Sequence, residues 1–297
     1  MRLGLHVSIS GKLTRAFDEG RNSRSEALQI FTASPRMWKS AQISEEAAAE
    51  FRAEKNDFSP IVVHSSYLIN LGSKSPEIRE KSLQALLEEV ERSTSSKSPE
   101  IREKSLQALL EEVERCKMLG ADFLVLHPGG GDENAVTYIA EGLSKALDSA
   151  GGVKILLENV AGEGSKVGKN FHELKAIIDE TTNGERLGVC FDTCHAFAAG
   201  YDLRRKDVWL KLHEEIDATV GFAAVKLVHL NDTKGELGSN LDRHANWTEG
   251  KLGVETLKII RDDPRFSSVP GILETPGDLA ARTADLKLCR ELLNFEG

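Results

Sequence analysis

The segment Lys154-Ile155-Leu156-Leu157-Glu158-Asn159 shows the pattern on which the fold depends. A short apolar run that ends on a charged residue is typical of a strand buried in a parallel sheet. Seven more short apolar segments, not all of which end on a charged residue, are spread along the chain, with helical patterns between them. They are Arg2–Ser8, Ala27–Thr32, Ile61–His64, Asp122–His127, Leu187–Asp192, Ala224–His229 and Gly271–Glu274.

Eight strand and helix pairs in 297 residues predict an α/β fold, a TIM (β/α)8 barrel formed by a single domain over residues 1–297. In such barrels, functional groups lie at the carboxyl ends of the strands. Six predicted strands end in His, Asp or Glu. One such residue could merely cap the barrel rim, but six endings on six strands are hard to explain by capping. They are His64, His127, Glu158, Asp192, His229 and Glu274.

The composition excludes a disordered chain and a membrane-spanning chain. Apolar residues make up 40% of the sequence, which is enough for a core, and no stretch approaches the roughly 20 apolar residues of a membrane span. Four cysteines are too few for a disulfide framework. We therefore expect a cytoplasmic protein without membrane contacts. The net charge of −9 by itself argues against a nucleic acid ligand, although bound metal ions would offset part of it.

Two further pairs of potential metal ligands follow strand ends. Asp192 and His195 lie three residues apart, and Asp242 and His244 lie two apart in the loop after the seventh predicted strand. With the strand ends, they give five histidines and four carboxylates at one end of the barrel. Imidazole and carboxylate without repeated thiolates favour zinc or manganese in a hydrolytic or isomerising site. Nine ligands exceed what one tetrahedral ion can use, so they fit two or three ions.

One helical segment occurs twice, because residues 73–92 are repeated without a difference at 96–115. Two identical copies indicate a tandem duplication, since repeat architectures need three or more units and diverge. Each copy begins with its own helix start, Ser75-Pro76-Glu77 in the first. We predict that one copy, 73–95 or 96–115, is extruded from the barrel. The unaltered junction with the following strand favours the second copy as the barrel helix.

Three long motifs then carry a resemblance to a known family. They are His64-Ser65-Ser66-Tyr67-Leu68-Ile69-Asn70-Leu71-Gly72, Gly188-Val189-Cys190-Phe191-Asp192-Thr193-Cys194-His195-Ala196-Phe197-Ala198-Ala199-Gly200-Tyr201-Asp202, and His229-Leu230-Asn231-Asp232-Thr233-Lys234 with Asp242-Arg243-His244. In this order they closely resemble endonuclease IV, the zinc-dependent apurinic/apyrimidinic endonuclease family. The resemblance covers the chain except for the duplicated 23 residues.

The resemblance implies three Zn²⁺ ions per chain, with Mn²⁺ as an alternative at one site. The first ion would be held by His64, His127 and Glu158, the second by Glu158, Asp192, His229 and Glu274, and the third by His195, Asp242 and His244. Glu158 bridges two ions in this scheme. Glu274 either orients or deprotonates the nucleophile or acts as a ligand alone. The implied reaction is hydrolysis of the phosphodiester 5′ to an abasic site, leaving a 3′-hydroxyl, together with trimming of blocked 3′ ends.

The implied partner is double-stranded DNA with abasic sites or blocked 3′ ends, bound by a monomeric enzyme. The matching positions for the two side chains that enter the duplex are Arg36 and Tyr67. Phosphate contacts could come from Arg36 as well as from Lys12, Lys234 and Arg243. One departure lies in residues 245–248, where the family usually has a His or another polar residue followed by a Gly, so the shape of this loop is open.

Two alternatives stay open at this point. A sugar isomerase or epimerase that depends on divalent metal ions shares the barrel and the strand-end ligands, but it needs one or two ions. The third set, His195, Asp242 and His244, argues against it. The other alternative is a protein that binds abasic DNA without cutting it, because the duplicated helix distorts the Tyr67 loop.

Overall fold

The protein forms a closed barrel of eight parallel strands in a computed structural model that describes residues 1–32, 42–73 and 99–294. The barrel strands are β1 (Leu3–His6), β2 (Ala27–Ile30), β3 (Ile61–His64), β4 (Phe123–Leu126), β5 (Lys154–Glu158), β6 (Gly188–Asp192), β7 (Val225–His229) and β10 (Gly271–Leu273). Two short strands outside the barrel, β8 (Asp232–Thr233) and β9 (His244–Ala245), lie between β7 and β10 along the chain. The sheet order is β1-β10-β7-β6-β5-β4-β3-β2, and β2 pairs with β1 to close it. The predicted TIM barrel is confirmed, with each predicted strand at its place.

Helices cover the outside of the barrel, as expected for strands joined by crossover connections. In the described residues they are α1 (Arg15–Ser23), α2 (Glu45–Glu54), α3 (Pro99–Leu119), α4 (Ala135–Ser149), α5 (Phe171–Glu180), α6 (Thr193–Ala199), α7 (Lys206–Ala218), α8 (Glu255–Arg261) and α9 (Leu279–Leu292). None of these helices is both long enough and apolar enough to cross a membrane.

The hydrophobic side chains form two layers, because successive strand residues point to opposite faces. The larger layer lies between the strands and the helices and includes Ile155 and Leu157 of β5. The smaller layer fills the barrel interior and consists of Ala27, Val62, Val125, Leu156, Cys190, Leu227 and Ile272, with Phe123 packed against it. The barrel therefore has a packed interior below its carboxyl end and is not a pore.

Helix α3 contains residues 99–115 of the second copy of the repeat and continues through Cys116 to Leu119. Its Leu109, Val113, Cys116 and Leu119 are fully buried in the core. The first copy, apart from Ser73, lies outside the described residues, so its predicted extrusion stays a prediction.

Candidate metal centre

A ring of polar side chains closes the barrel interior at the carboxyl ends of the strands. Seven barrel strands present one such side chain two residues after their inner-layer residue, and His6 lies two residues after Gly4 on β1, so strand alternation directs all of them inward. The ring consists of His6, Gln29, His64, His127, Glu158, Asp192, His229 and Glu274. All six predicted strand-end residues belong to this ring and form two clusters, and residues that follow the strands form a third beside Asp192.

The first cluster contains His64, His127 and Glu158. The Nε2 atoms of the two histidines lie 3.1 and 3.2 Å from the Oε2 atom of Glu158. The Nδ1 atom of His64 donates to the carbonyl oxygen of Ser65 at 2.9 Å. Since a carbonyl oxygen can only accept, this bond fixes a proton on Nδ1 and leaves Nε2, which faces Glu158, as the nitrogen that could bind a metal ion.

The second cluster contains Glu158, Asp192, His229 and Glu274. The Nδ1 atom of His229 lies 2.9 Å from Oε1 of Glu158, 3.3 Å from Oε2 of Glu274 and 3.8 Å from Oδ2 of Asp192. The two carboxylate oxygens of Glu158 thus face different clusters. One side chain could therefore serve both clusters, and the bridging role that the resemblance implies for Glu158 stays a prediction.

The third cluster begins at the short helix α6. Asp192 caps this helix, because its side chain accepts from the backbone N–H of His195 at 2.7 Å. Helix α6 ends at Ala199 and is capped by Gly200, whose φ of 117° favours glycine. The Nδ1 atom of His195 donates to the carbonyl oxygen of Asn159 at 2.9 Å, and its Nε2 lies 3.2 Å from Oδ2 of Asp242.

A small hairpin completes the third cluster. Strands β8 (Asp232–Thr233) and β9 (His244–Ala245) pair antiparallel, with Thr233 opposite His244. This pairing returns the chain to the barrel mouth and places Nε2 of His244 3.5 Å from Oδ1 of Asp242 and 4.0 Å from Oδ2 of Asp192. Asp192 thus lies near the second and third clusters alike. The predicted third trio is brought together, with the thiol of Cys194 close to Asp242 and His244.

The residues fit metal ions by their donor types and by their spacing. Two ligands on one tetrahedral zinc ion, each at about 2.1 Å, lie about 3.4 Å apart, which is close to the distances above. The Nε2 atoms of His195 and His244 are buried, and although oxygens of Asp242 lie 3.2 and 3.5 Å away, neither nitrogen has a partner in hydrogen-bonding geometry among the described residues. Buried polar atoms without a partner are costly, and a metal ion between these nitrogens and Asp242 would satisfy them.

The electrostatics of the clusters also correspond to a cation site. Burial alone would raise the pKa of Glu158, but the imidazoles of His229 and His127 hold that pKa well below its usual range. Burial alone would lower the pKa of His195, but the carboxylates of Asp192 and Asp242 hold it well above its usual value. The buried carboxylates and imidazoles thus stabilise each other's charged forms, and bound metal ions would supply the positive charge in place of protons on the imidazoles.

Sequence reasoning missed three polar residues of the site. Gln29 and His6 belong to the ring itself, and Asn231 lies directly beyond β7. The side-chain nitrogen of Asn231 donates to Oδ2 of Asp192 at 2.7 Å and to Oε2 of Glu274 at 3.2 Å. Alternation offered one signal for Gln29, since it lies two residues after Ala27 of the inner layer.

The predicted DNA contacts lie on loops around this centre. Tyr67 is 52% exposed, and its ring centroid lies 6.2 Å from that of His127. Lys234 and Arg243 are exposed on the β8–β9 hairpin. Lys12 follows β1 and forms an exposed ion pair of 2.9 Å with Glu50. The Arg36 position lies outside the described residues.

The loop whose shape the sequence left open is held firmly to the barrel. Trp247 is fully buried, and its indole N–H donates to the carbonyl oxygen of Leu230 at 3.1 Å. Asp285 of α9 accepts from the side-chain nitrogen of Asn246 at 2.7 Å. The residues after His244 therefore anchor the hairpin of the third cluster.

Known proteins resemble this chain along its whole length. Residues 92–292 match the family described as Xylose isomerase-like TIM barrel. A probable endonuclease 4 from Chloroflexus aurantiacus is 38% identical, with 98% of both chains covered. A probable endonuclease 4 from Halothermothrix orenii is also 38% identical, over 97% of this chain and 98% of that protein.

Solved structures also include a member of the endonuclease IV family that is similar to this chain. Endonuclease IV from Thermus thermophilus has a TM-score of 0.83 and 35% identity, with all of both chains covered. A D-tagatose 3-epimerase-like protein has a TM-score of 0.67 at 20% identity, over 99% of this chain and 98% of that one, and so shares the fold alone. The full-length identity to endonuclease 4 proteins and the matched barrel family show that the chain belongs to the endonuclease IV family of xylose isomerase-like TIM barrels.

Proposed function

We propose that this protein is a zinc-dependent DNA repair endonuclease that hydrolyses the phosphodiester 5′ to an abasic site and leaves a 3′-hydroxyl. The same centre trims blocked 3′ ends. The observation that carries this proposal is the presence of three adjoining ligand clusters at the mouth of the barrel. Family membership supports the reaction class, and the exposed loops around the mouth support a large substrate.

Three zinc ions are proposed, one for each cluster, with Mn²⁺ as an alternative at one of them. His64, His127 and Glu158 would hold the first. Glu158, Asp192, His229 and Glu274 would hold the second, and His195, Asp242 and His244 the third. Bound ions of this kind supply Lewis acidity for the attacking water and for the charge that develops on the phosphate.

The protein's own residues orient this chemistry. Glu158 lies between two clusters and keeps them at a fixed separation through its two oxygens. Glu274 is the least enclosed carboxylate of the second cluster, with a side chain that is 10% exposed. It is therefore the carboxylate placed to accept a proton from the attacking water at the mouth. Asp192, by contrast, is fully buried, with Oδ1 accepting from the backbone N–H of His195 and Oδ2 accepting from Asn231, so it is less accessible to the attacking water.

Recognition of the lesion is assigned to the loops. The exposed Tyr67 ring stands beside the first cluster, where it could take the place of a missing base. An abasic sugar costs less to turn out of the duplex than a paired nucleotide, which gives one source of selectivity. Lys234 and Arg243 on the hairpin, with Lys12 and Arg36, are the proposed phosphate contacts.

The epimerase alternative accounts for fewer of the residues. A sugar isomerase or epimerase needs one or two ions, and it leaves His195, Asp242 and His244 without a role. Epimerase structures share only the fold with this chain at the identities found. The extra cluster is what favours phosphodiester hydrolysis.

The test uses a duplex with a single abasic site and the full chain, with and without a chelator. We expect incision that the chelator abolishes and zinc restores, and close to three zinc ions per chain by elemental analysis. Glu158→Gln should reduce incision roughly a hundredfold or more, whereas Glu141→Gln, the same change on the exposed face of α4, should have no effect. Binding without incision would favour the abasic-DNA binder, and turnover of a ketose without incision would favour the epimerase.

A further inference from the structure

Gln29 is a buried amide in the centre of the proposed metal site. It lies on β2, two residues after Ala27 of the inner layer, and its exposed fraction is 0%. A buried amide must find hydrogen-bond partners for its oxygen and its nitrogen, because unpaired polar groups are costly in the interior. The partners of Gln29 include two of the proposed ligands of the second zinc ion.

The hydrogen bonds of Gln29 determine which way its amide points. The Nε2 atom donates to Oε1 of Glu274 at 2.6 Å and lies 3.0 Å from Nδ1 of His6. The Oε1 atom lies 2.9 Å from Nε2 of His229. A carboxylate can only accept, so the amide nitrogen must face Glu274 and the amide oxygen must face His229.

This orientation fixes the tautomer of His229. An amide oxygen can only accept, so the Nε2 atom of His229 must carry a proton. The Nδ1 atom of the neutral ring then keeps its lone pair. It is this nitrogen that faces Glu158 at 2.9 Å and Glu274 at 3.3 Å. The same amide fixes Oε1 of Glu274 and leaves Oε2 directed at the cluster.

We propose that Gln29 is a positioning residue for the second metal ion. Its single amide group holds both His229 and Glu274 in the geometry that binds the ion. The inference rests on the proposed function, because it presupposes a metal ion in the second cluster. A side chain that fixes the tautomer of a ligating histidine and orients a carboxylate is worth about 10-fold to 100-fold in metal affinity.

The test compares wild type, Gln29→Met and Gln107→Met by competition for zinc with a chromophoric chelator. Methionine has a similar length and makes neither hydrogen bond. Gln107 is exposed on α3 and provides the matched control. We expect Gln29→Met to bind one zinc ion per chain about 10-fold to 100-fold more weakly, and Gln107→Met to behave as wild type. Thermal unfolding of the metal-free proteins tests separately whether Gln29 contributes only to packing.

Nitrogen-15 spectra of the zinc-loaded wild-type protein test the tautomer without any variant. We expect His229 to carry its proton on Nε2 and to bind zinc through Nδ1. A proton on Nδ1, or a Gln29→Met variant with unchanged zinc affinity, would overturn the role of Gln29 while leaving the proposed function intact. A wild-type protein that binds no zinc would overturn both.

Discussion

Because residues 73–92 and 96–115 are identical, the same substitution can be made at matching positions of either copy, and the two variants then differ only in which copy is changed. Leu109 in the second copy corresponds to Leu86 in the first, 23 residues earlier. Leu109 is fully buried in the core on α3, which packs against α2, α4 and β4. Leu86 lies outside the described residues. We predict that Leu109→Ala destabilises the protein strongly and that Leu86→Ala does not.

The size of the effect follows from the burial of Leu109. The substitution removes three carbon atoms from a side chain with 0% exposure. Their transfer to water accounts for about 2.4 kcal/mol at about 0.8 kcal/mol per carbon, and the cavity left behind raises the total to about 3–4 kcal/mol. Only one copy can fill the position on the barrel, so Leu86→Ala should cost less than about 0.5 kcal/mol.

The assay is equilibrium unfolding of both variants in urea, followed by circular dichroism at one fixed zinc concentration. A shift of the midpoint without a change in slope reports a change in the free energy of unfolding. Equal losses for the two variants would refute the assignment, because both copies would then share the barrel position or both would be packed. A larger loss for Leu86→Ala would place the first copy in the barrel.

Three further predictions concern the duplication, a buried acid and the metal centre. Deleting residues 73–95 should stabilise the protein by about 0.9 kcal/mol, because a shorter loop costs less entropy to close. Asn70 and Ser105 are joined by a 2.9 Å hydrogen bond, and the deletion reduces their separation along the chain from 35 to 12 residues. Glu112→Gln should stabilise the protein at pH 7. Burial raises the pKa of Glu112, so the protonated carboxyl stabilises the folded state at low pH, and this contribution is lost as the pH rises above about 4.5. Glutamine is neutral at every pH and does not lose it. Zinc binding at pH 7 should release protons and weaken at lower pH, because zinc must displace the proton of a ligating histidine. Burial lowers the pKa of His195, but the carboxylates of Asp192 and Asp242 outweigh this effect and raise it.

Each of these three predictions can be checked by a direct measurement, and each would be contradicted by a specific result. Urea unfolding checks the deletion, and a variant less stable than the full chain would contradict it. Unfolding of Glu112→Gln from pH 4 to 8 should show an advantage over wild type that grows with pH, and an advantage that shrinks would contradict the stated direction. Calorimetry of zinc binding in buffers of different ionisation enthalpy measures proton release, and an identical apparent enthalpy in every buffer would show that none occurs.

The ligand types and most of their positions could be predicted from the sequence because the barrel strands are short and buried. An apolar run such as Leu124-Val125-Leu126 that ends at His127 marks both the strand and the place where its functional residue emerges. Gln29 and His6 were missed because apolar residues follow them, as in Gln29-Ile30-Phe31, so they do not end a run. Their position becomes visible only when the inner layer is known.

The hairpin of the third cluster could not be predicted either. Strands of two residues are too short to show a period, and the pairing of Thr233 with His244 joins segments separated by a polar loop. The sequence indicated that Asp242 and His244 belong together but gave no direction for the loop. The antiparallel pairing, reinforced by the anchoring of Trp247, brings them back to His195.

The barrel, the family resemblance and the chemical types of the proposed metal ligands were predictable from the sequence alone, because they depend on local patterns of apolar and polar residues. Local propensity could not distinguish the two identical helices, since identical segments have identical propensities, and only the unaltered junction with the next strand favoured the second copy. Tertiary contacts made that choice: Ser105 accepts from Asn70, Glu112 accepts from Thr32, and the helix continues into the buried Cys116 and Leu119. Only packing against the barrel, which depends on where a segment lies in space, could decide which copy forms α3 and which ring nitrogen faces each carboxylate.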